Sequence, residues 1–442
     1  MSTKSLRGFV VKLDFGSGAW KSAVFLNVDK NWDEIKDDED MSLVNYFSHS
    51  RTPSLEELGS NACHEAWEAY LKSGKAGFDL SGSNPTRVGL PCVGASREGL
   101  DRALSASYQA SAQGLDMARQ AIADFYQGQT SADRIQLFAS TSEAIGCLVK
   151  LFCSPSDEVV TCIPTYPLLD CLCSLESVRL LEIPLQDCAG QWAIDFWTLE
   201  RTCTEKTRLM IVVSPNNPTG HCILFEEMSK LVDFCAERGM ALVVDEVFAS
   251  YRLDENPALL HEPAAAQFDR GLIISLSGLS KVCGQPQHKL GWGVFGGDRS
   301  VVSEAMQRMS FITDSTLSVS GWVQRMSPEF IENRHIFHDA CMERIRENLE
   351  FLKDYARRDG VQWTVDRVQG GWSACVRLPG WADDEAASVC LAKSGVRVFP
   401  GLFFGYRETQ PTLVVSLITE TEIFRDGVER LGDVLRAFLG GV

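Results

Sequence analysis

Residues 275–295, SLSGLSKVCGQPQHKLGWGVF, join a short apolar run to a lysine in a tight turn and then to a second apolar run. Lys281 therefore follows a predicted strand and lies in a turn rich in serine and glycine, rather than on a charged helix face. A lysine held in a pocket at the end of a strand can lose its proton by desolvation and attack a carbonyl carbon. Taken alone, this motif is more typical of a lysine on the protein surface. The interpretation of Lys281 therefore depends on the surrounding sequence.

Seven short, β-branched runs occur from Arg134 onward and alternate with helical patterns. They are IQLFAS, EVVTCIP, VRLLEIP, RLMIVVS, ALVVDEVF, LIISLS and WGVFGG. The helices predicted between them, 143–152 and 225–238, are long enough for right-handed crossovers. The sequence therefore predicts an α/β fold with a mainly parallel seven-stranded sheet covered by helices on both faces, and ligands that bind beyond the carboxyl ends of its strands.

The rest of the chain divides into two further regions. After residue 300 the pattern is helical, notably over 343–358, and then gives short strands and a last helix near 424–438, which indicates a smaller α+β domain. Residues 1–44 alternate weakly, as in a strand pair, and end in an acidic run. We therefore predict an N-terminal extension of unknown role at 1–44, a small domain from 45–90 plus 325–442, and a large domain at 91–324.

Composition excludes several classes of protein. The 442 residues carry 59 acidic and 42 basic side chains, a net charge of −17, with no basic block, so a nucleic-acid partner is not expected. The fifteen cysteines include no Cys-x-x-Cys pair and the seven histidines no helical i, i+4 pair, so we expect no metal site and reduced thiols in the cytoplasm. No apolar stretch reaches 18 residues, so no membrane span is expected.

Three more segments place polar residues at the ends of predicted strands. Asp245 ends the strand of VVDEVFASY, where a buried carboxylate needs a facing cation; the alternative is a capping aspartate. SPNNPTG, 214–220, follows another strand and is typical first of a turn. The hydroxyls of Ser140, Thr141 and Ser142 lie between a strand and a helix, which suits a phosphate as well as a simple N-cap.

Together these elements resemble the fold-type I pyridoxal-phosphate enzymes, and within them the aspartate/alanine aminotransferase-like group (aminotransferase classes I and II). The resemblance runs from about residue 45 to the C-terminus. It depends on motifs in the family's order and spacing: Ser140-Thr141-Ser142, PTYP at 164–167, NNPTG at 216–220, DEVF at 245–248 and GLSK at 278–281. The resemblance implies pyridoxal 5′-phosphate as the cofactor, because a Schiff-base lysine and a carboxylate facing a pyridinium are what that cofactor requires.

The resemblance also implies a role for individual residues. Lys281 would form the Schiff base with the cofactor and later move a proton between substrate and cofactor. Asp245 would pair with the ring nitrogen, Asn217 would donate to the ring's phenolic oxygen, and Tyr166 would stack on the ring. Lys281, Asp245 and Tyr166 are thus the catalytic candidates.

Further candidates would bind the phosphate or the substrate. The residues implied around the phosphate are Ser140, Thr141, Ser142, Ser280 and Lys289. Tyr108 resembles the tyrosine that reaches the phosphate of a neighbouring subunit, which implies a homodimer with shared sites. Asn84 and Arg87, in the loop SNPTRVGL, are candidate substrate-binding residues.

The sequence departs from the family pattern at four positions. Lys289 stands where an arginine usually grips the phosphate, Gly278 where a serine is common, and Phe248 where a tyrosine commonly bonds the phenolic oxygen. The arginine that binds the substrate's α-carboxylate should fall at Leu413 or Val414, and neither is charged. Another arginine could bind the carboxylate instead, and the candidates are Arg87, Arg377 and Arg407. Each of them is also typical of a structural or surface arginine.

These observations predict a pyridoxal-phosphate-dependent aminotransferase that moves an amino group between an amino acid and a 2-oxo acid. Because the carboxylate anchor is missing, a lyase or cyclase that acts at Cα or Cβ of an amino acid stays open as an alternative. A binding or regulatory protein that has kept the fold is a third hypothesis. The persistence of Lys281 and Asp245 argues against it.

Overall fold

The computed structural model describes residues 9–11, 23–25, 52, 61–188, 191–358 and 360–440. The α-helices are α1 (Ala62–Lys72), α2 (Arg97–Ser105), α3 (Asp116–Phe125), α4 (Thr141–Phe152), α5 (Leu168–Leu175), α6 (Phe196–Thr202), α7 (Phe225–Glu237), α8 (Leu279–Val282), α9 (Arg299–Asp314), α10 (Gly321–Glu332), α11 (His335–Ala356), α12 (Asp384–Lys393) and α13 (Thr421–Gly440). The strands are β1 (Phe9–Val11), β2 (Ala23–Phe25), β3 (Phe78–Asp79), β4 (Ile135–Phe138), β5 (Glu158–Ile163), β6 (Arg179–Cys188), β7 (Gln191–Ile194), β8 (Thr207–Val213), β9 (Ala241–Asp245), β10 (Leu272–Gly278), β11 (Gly291–Gly297), β12 (Thr364–Val365), β13 (Ser373–Arg377), β14 (Val396–Arg397), β15 (Phe399–Pro400) and β16 (Thr412–Ser416).

An eight-stranded sheet forms the centre of the molecule, in the order β4-β11-β10-β9-β8-β5-β6-β7. Strands β10, β9, β8, β5 and β6 pair in parallel, whereas β11 is antiparallel to both of its neighbours. All seven predicted strands are present, so the predicted α/β fold with a mainly parallel sheet is confirmed. The eighth strand, β7, was not predicted. It is four residues long and pairs antiparallel with the end of β6.

Both faces of this sheet are buried, as expected for parallel strands between helices. Alternate residues of β8 belong to different apolar clusters: Met210 and Val212 pack in one, Leu209 and Ile211 in the other. The same alternation divides β9. A strand buried on both sides has no polar face, which explains why these segments are continuous apolar runs in the sequence.

The C-terminal region forms a second, smaller sheet of four antiparallel strands in the order β12-β13-β16-β15. A separate parallel pair joins β14 to β3, with Arg397 opposite Asp79. The last helix, α13, packs through buried residues spaced three or four apart, including Phe424, Val428 and Leu431. The smaller α+β unit is therefore present, while the exact division at 45–90, 91–324 and 325–442 stays a prediction.

Within the predicted N-terminal extension, β1 and β2 form an antiparallel pair, as the weak alternation indicated. The remainder of 1–44 lies outside the described residues. Among the described helices, none combines the length and the apolar character needed to cross a membrane.

Candidate active site

The carboxyl ends of five strands converge on one cavity of about 140 Å³. Residues that follow β4, β5, β8, β9 and β10 all line it, which is where ligands bind in open α/β sheets. One water needs only about 10–15 Å³ by this kind of measure, so the cavity is large enough for a small organic molecule. A larger surface cavity of about 840 Å³, near Arg252 and His338, contains neither Lys281 nor Asp245.

The lining of the Lys281 cavity contains most of the predicted site residues. Ser140, Thr141, Ser142, Tyr166, Asn217, Asp245, Ser280 and Lys281 all belong to it. They come from five separate segments of the chain between residues 140 and 281. The structure therefore brings together residues that the sequence connected only through the order of the motifs.

A buried carboxylate and an amine face each other across this cavity. Burial raises the pKa of Asp245 to about 6, against the lowering effects of the Val247 backbone N–H, 3.1 Å from Oδ1, and of the Lys281 charge. Burial also lowers the pKa of Lys281 to about 8, opposed by the charge of Asp245. Near neutral pH the pair is still ionised, yet the lysine is much easier to deprotonate than an exposed one.

Aromatic side chains surround Lys281. Its Nζ lies 4.6 Å from the centre of a Trp372 ring and 5.4 Å from the Phe248 ring. The Tyr251 hydroxyl donates a 2.6 Å hydrogen bond to the backbone carbonyl of Lys281. These contacts fix both the backbone and the amino group, and they are the source of the desolvation that lowers the lysine pKa.

The N-terminus of α4 forms the opposite wall. Ser140 is its N-cap, and the Ser140 Oγ accepts a 3.1 Å hydrogen bond from the Glu143 backbone N–H. Gly291, the first residue of β11, lies against this turn: a Cβ there would be 2.9 Å from the Ser140 carbonyl carbon and 3.0 Å from the Thr141 nitrogen. The glycine therefore permits a close approach of β11 to a helix terminus that favours anions.

Tyr166 and Asn217 complete the walls of the cavity. Burial, with the nearby charge of Asp245, raises the pKa of Tyr166 to about 12. The phenol is therefore neutral at any physiological pH. It can stack on a ligand or donate a hydrogen bond, but it is not a base.

The donor set fits pyridoxal phosphate. It offers an amine with a lowered pKa for the aldehyde, a buried carboxylate for the ring nitrogen, and a helix N-terminus with three hydroxyls for the phosphate. The close approach at Gly291 keeps that helix terminus in place beside the cavity. No metal is needed for this chemistry, and no group of three His, Cys, Asp or Glu within the described ranges is arranged to hold one.

Four predicted residues lie elsewhere. Lys289 is exposed and adopts a left-handed backbone conformation with φ of 54°. Tyr108 is 81% exposed, and neither residue lines the Lys281 cavity of its own chain. Asn84 and Arg87 line an adjoining cavity instead. Their predicted roles in phosphate, partner-subunit and substrate binding stay predictions.

An aliphatic side chain occupies the position where the carboxylate-binding arginine was expected. Of the two expected positions, Val414 lines the Lys281 cavity and Leu413 does not. Arg377 pairs with Asp366 at 2.7 Å and with Asp187 at 3.0 Å, away from this cavity, and Arg407 is exposed. None of the three arginines considered from the sequence lines the cavity.

Sequence reasoning missed the residues that close the cavity from the smaller sheet. Trp372, Phe399, Phe404 and Ser416 line it, although they lie more than 90 residues beyond Lys281. The signal for Trp372 was present in QGGWSACV, where a bulky aromatic residue follows two glycines. Only the packing of the smaller sheet over the strand ends reveals its position.

Comparison with known proteins agrees with this geometry. Residues 96–425 match the family model described as aminotransferase class I and II. Capreomycidine synthase from Streptomyces vinaceus is 29% identical over 60% of this chain and 66% of its own length. Nicotianamine aminotransferase 1 from Oryza sativa subsp. japonica is 24% identical over 72% of this chain and 66% of its own length.

Solved structures show the same fold. Alanine aminotransferase from Pyrococcus furiosus superposes with a TM-score of 0.75 and 18% identity, covering 88% of this chain and all of that chain. Tyrosine aminotransferase from Leishmania infantum gives a TM-score of 0.72 and 17% identity, covering 84% of this chain and 96% of that chain.

The matched part of the chain spans just under two thirds of the length of the two curated relatives named above. The family model nevertheless covers most of this sequence, from the helix before the large sheet to the last helix. The predictions of fold, family and pyridoxal-phosphate cofactor are therefore confirmed. The chain belongs to the aminotransferase class I and II family.

Proposed function

We propose that the protein is a pyridoxal-phosphate-dependent aminotransferase that moves an amino group between an amino acid and a 2-oxo acid. The observation that carries this proposal is one cavity lined by the half-buried Lys281, the buried Asp245 and the N-terminus of α4. The relatives named as aminotransferases support it.

The bound cofactor supplies an electron sink that lets a bond at the substrate's reacting carbon break. Lys281 would hold the cofactor through its Nζ, and as a free amine it would take a proton from the substrate's reacting carbon and return it to another atom. Its pKa of about 8 keeps a useful fraction unprotonated near neutral pH. Asp245, as a carboxylate, would hold a proton at the ring nitrogen.

The other lining residues orient the reactants and limit water. Trp372 and Phe248 surround the Lys281 amino group, and Phe404 adds a third apolar surface. Exclusion of water strengthens the electrostatic interaction between Asp245 and a ring cation. The neutral phenol of Tyr166 is available to stack on the ring.

We also propose a homodimer with shared active sites. Tyr108, Leu104 and Phe311 are 81%, 63% and 83% exposed, which is unusual for large apolar residues unless another chain covers them. Tyr108 would then reach the partner's phosphate site. A cytoplasmic location is proposed on the free thiols of the described cysteines.

A lyase or cyclase that acts at Cα or Cβ is the second candidate. Two observations favour it: Val414 occupies the position of the expected carboxylate anchor, and capreomycidine synthase is among the relatives at 29% identity. The early chemistry is common to both candidates, so the pocket determines which product forms.

Single-turnover spectroscopy of the holoenzyme with a panel of amino acids separates these candidates. An aminotransferase converts the cofactor to its amino form, and a 2-oxo acid restores the original spectrum. Release of ammonia or of a cyclised product, without that reversal, would favour the second candidate. A wild-type protein with no spectral response to any amine would contradict both, and Lys281→Ala serves as the inactive control.

A further inference from the structure

A second cavity, of about 270 Å³, adjoins the Lys281 cavity. The two share Ser81, Ser83 and Phe399 as lining residues, so the second space lies directly beside the Lys281 cavity. We call this second space the Arg397 cavity, after the cation that lines it. It is formed by the β3 and β14 region of the smaller unit.

The Lys281 cavity offers little to a substrate carboxylate. Among the described residues that line it, Lys281 and Asp245 are the only charged side chains, and both are engaged with the cofactor in the proposed function. The remaining walls are aromatic, aliphatic or hydroxyl groups and the uncharged amide of Asn217. A carboxylate buried there without a cation would be strongly disfavoured.

Arg397 is a buried cation that lines this second cavity, whereas Arg87, which also lines it, is exposed. Arg397 is only 8% exposed, and its Nη1 lies 3.3 Å from Oδ2 of Asp79, directly opposite in the β3–β14 pairing. Its guanidinium lies 5.9 Å from the centre of the ring of Phe399, a residue that lines both cavities. Side chains at 397 and 399 share a face because they are two positions apart.

The hydrogen bonds of this pair leave spare capacity on the cation. Asp79 is well satisfied: its Oδ1 accepts bonds from the Ser81 N–H at 2.9 Å and the Ser81 hydroxyl at 2.7 Å, and its Oδ2 faces Arg397. A guanidinium has five N–H donors, and in the described part of the chain Asp79 is the one carboxylate paired with Arg397. The site therefore has an excess of donors.

A second, independent observation points to a bound acceptor. Thr419 lines the same cavity and is only 4% exposed, and its hydroxyl has no hydrogen-bond partner among the described residues. An unpartnered buried hydroxyl is costly unless a ligand satisfies it. The other charged residues that line this cavity, Arg87 and Glu420, are both exposed.

We propose that Arg397 binds a carboxylate of the substrate, in place of the arginine that the family pattern would put at Val414. This inference rests on the proposed function, since it concerns the substrate of the same site. A guanidinium can hold Asp79 with one nitrogen and fork onto a second carboxylate with the others. The carboxylate is either the α-carboxylate of an amino acid or one at the far end of its side chain.

Half-reactions of the holoenzyme, followed by cofactor absorbance, distinguish these two sources. The probes are L-alanine, L-2-aminoadipate and isopropylamine, which carry one, two and no carboxylates. Arg397→Gln should weaken saturation by carboxylate-bearing probes by about 10- to 100-fold, the size of one or two charge-assisted hydrogen bonds. Loss with both amino acids identifies the α-carboxylate, whereas loss with 2-aminoadipate alone identifies the distal one.

A second variant distinguishes the loss of a carboxylate contact from a folding defect. Asp79→Asn removes the competing anion and should tighten the same carboxylate probes several-fold, the opposite direction from Arg397→Gln. Arg346→Gln, an exposed arginine on α11, is the matched control and should change nothing. Thermal unfolding of each variant shows whether the protein is intact.

The inference is overturned if Arg397→Gln and Asp79→Asn both leave the amino-acid half-reactions unchanged. It is equally overturned if Arg397→Gln weakens isopropylamine as much as alanine, because the effect would then be structural. Failure of the wild type to react with any probe would instead contradict the proposed function, so the two failures are distinguishable.

Discussion

Replacing Gly291 with alanine tests whether the N-terminus of α4 is the phosphate site. A Cβ at this position would lie 2.9 Å from the Ser140 carbonyl carbon and 3.0 Å from the Thr141 nitrogen, and both atoms are backbone. Ordinary van der Waals contact begins at 3.4 Å. Strand β11 and the helix terminus must therefore move apart by about half an ångström, since backbone atoms cannot rotate away as a side chain can.

Two effects should follow from this displacement. Overpacking of this kind costs about 1–3 kcal/mol of unfolding free energy. The backbone N–H groups of Thr141 and Ser142 would also be displaced from an anion held beside them. Loss of one charge-assisted hydrogen bond, worth about 1.5–3 kcal/mol, weakens cofactor binding by about 10- to 100-fold.

The assay is a titration of the cofactor-free protein with pyridoxal phosphate, together with urea unfolding of the same preparations. Gly293→Ala is the matched control on the same strand. Its Cβ would meet only side-chain atoms, the nearest being Leu276 Cδ2 at 3.3 Å, so cofactor affinity should not change. Equal dissociation constants for Gly291→Ala, Gly293→Ala and the wild type would refute the assignment of the phosphate site.

Three further predictions concern Lys281 and its neighbours. The rate of cofactor uptake should rise with pH to a midpoint near 8, because the unprotonated amine is the nucleophile and its pKa is lowered to about 8; a midpoint above 10 in a stopped-flow pH series would contradict this. Phe248→Tyr adds a donor beside the cofactor's ring oxygen and should lower the pH midpoint of the bound cofactor's absorbance, whereas equal midpoints would exclude such a contact. Tyr251→Phe removes the 2.6 Å bond to the Lys281 carbonyl and should lower the urea-unfolding free energy by about 1–3 kcal/mol; no change would show that this bond is unimportant for stability.

The large sheet could be predicted because its strands are buried on both faces. Continuous apolar runs such as LIISLS can be assigned to strands rather than helices when they alternate with helical patterns. Strand β7 was missed because QWAI has four residues and depends on pairing with β6 for its structure. Helix α4 begins at Thr141, two residues before its predicted start, because the Ser140 side chain caps it.

That Lys281 and Asp245 line one cavity could also be predicted, since both lie at the carboxyl ends of apolar strands, whereas their catalytic roles stay predictions. The substrate side could not. Arg397 was overlooked among the candidate anchors, although an arginine between Val396 and Val398 is a charge within an apolar run, and a buried arginine requires a partner. Its partner, Asp79, is more than 300 residues away, and only the β3–β14 pairing brings the two together.

Borohydride reduction of the protein loaded with pyridoxal phosphate, followed by peptide mass spectrometry, tests the central claim most directly. We expect a yellow protein, loss of the visible band on reduction, and one cofactor fixed to the peptide that contains Lys281. Cofactor attached to another lysine, or a protein that stays colourless and gains no mass, would contradict the assignment of Lys281 and the chemistry built on it.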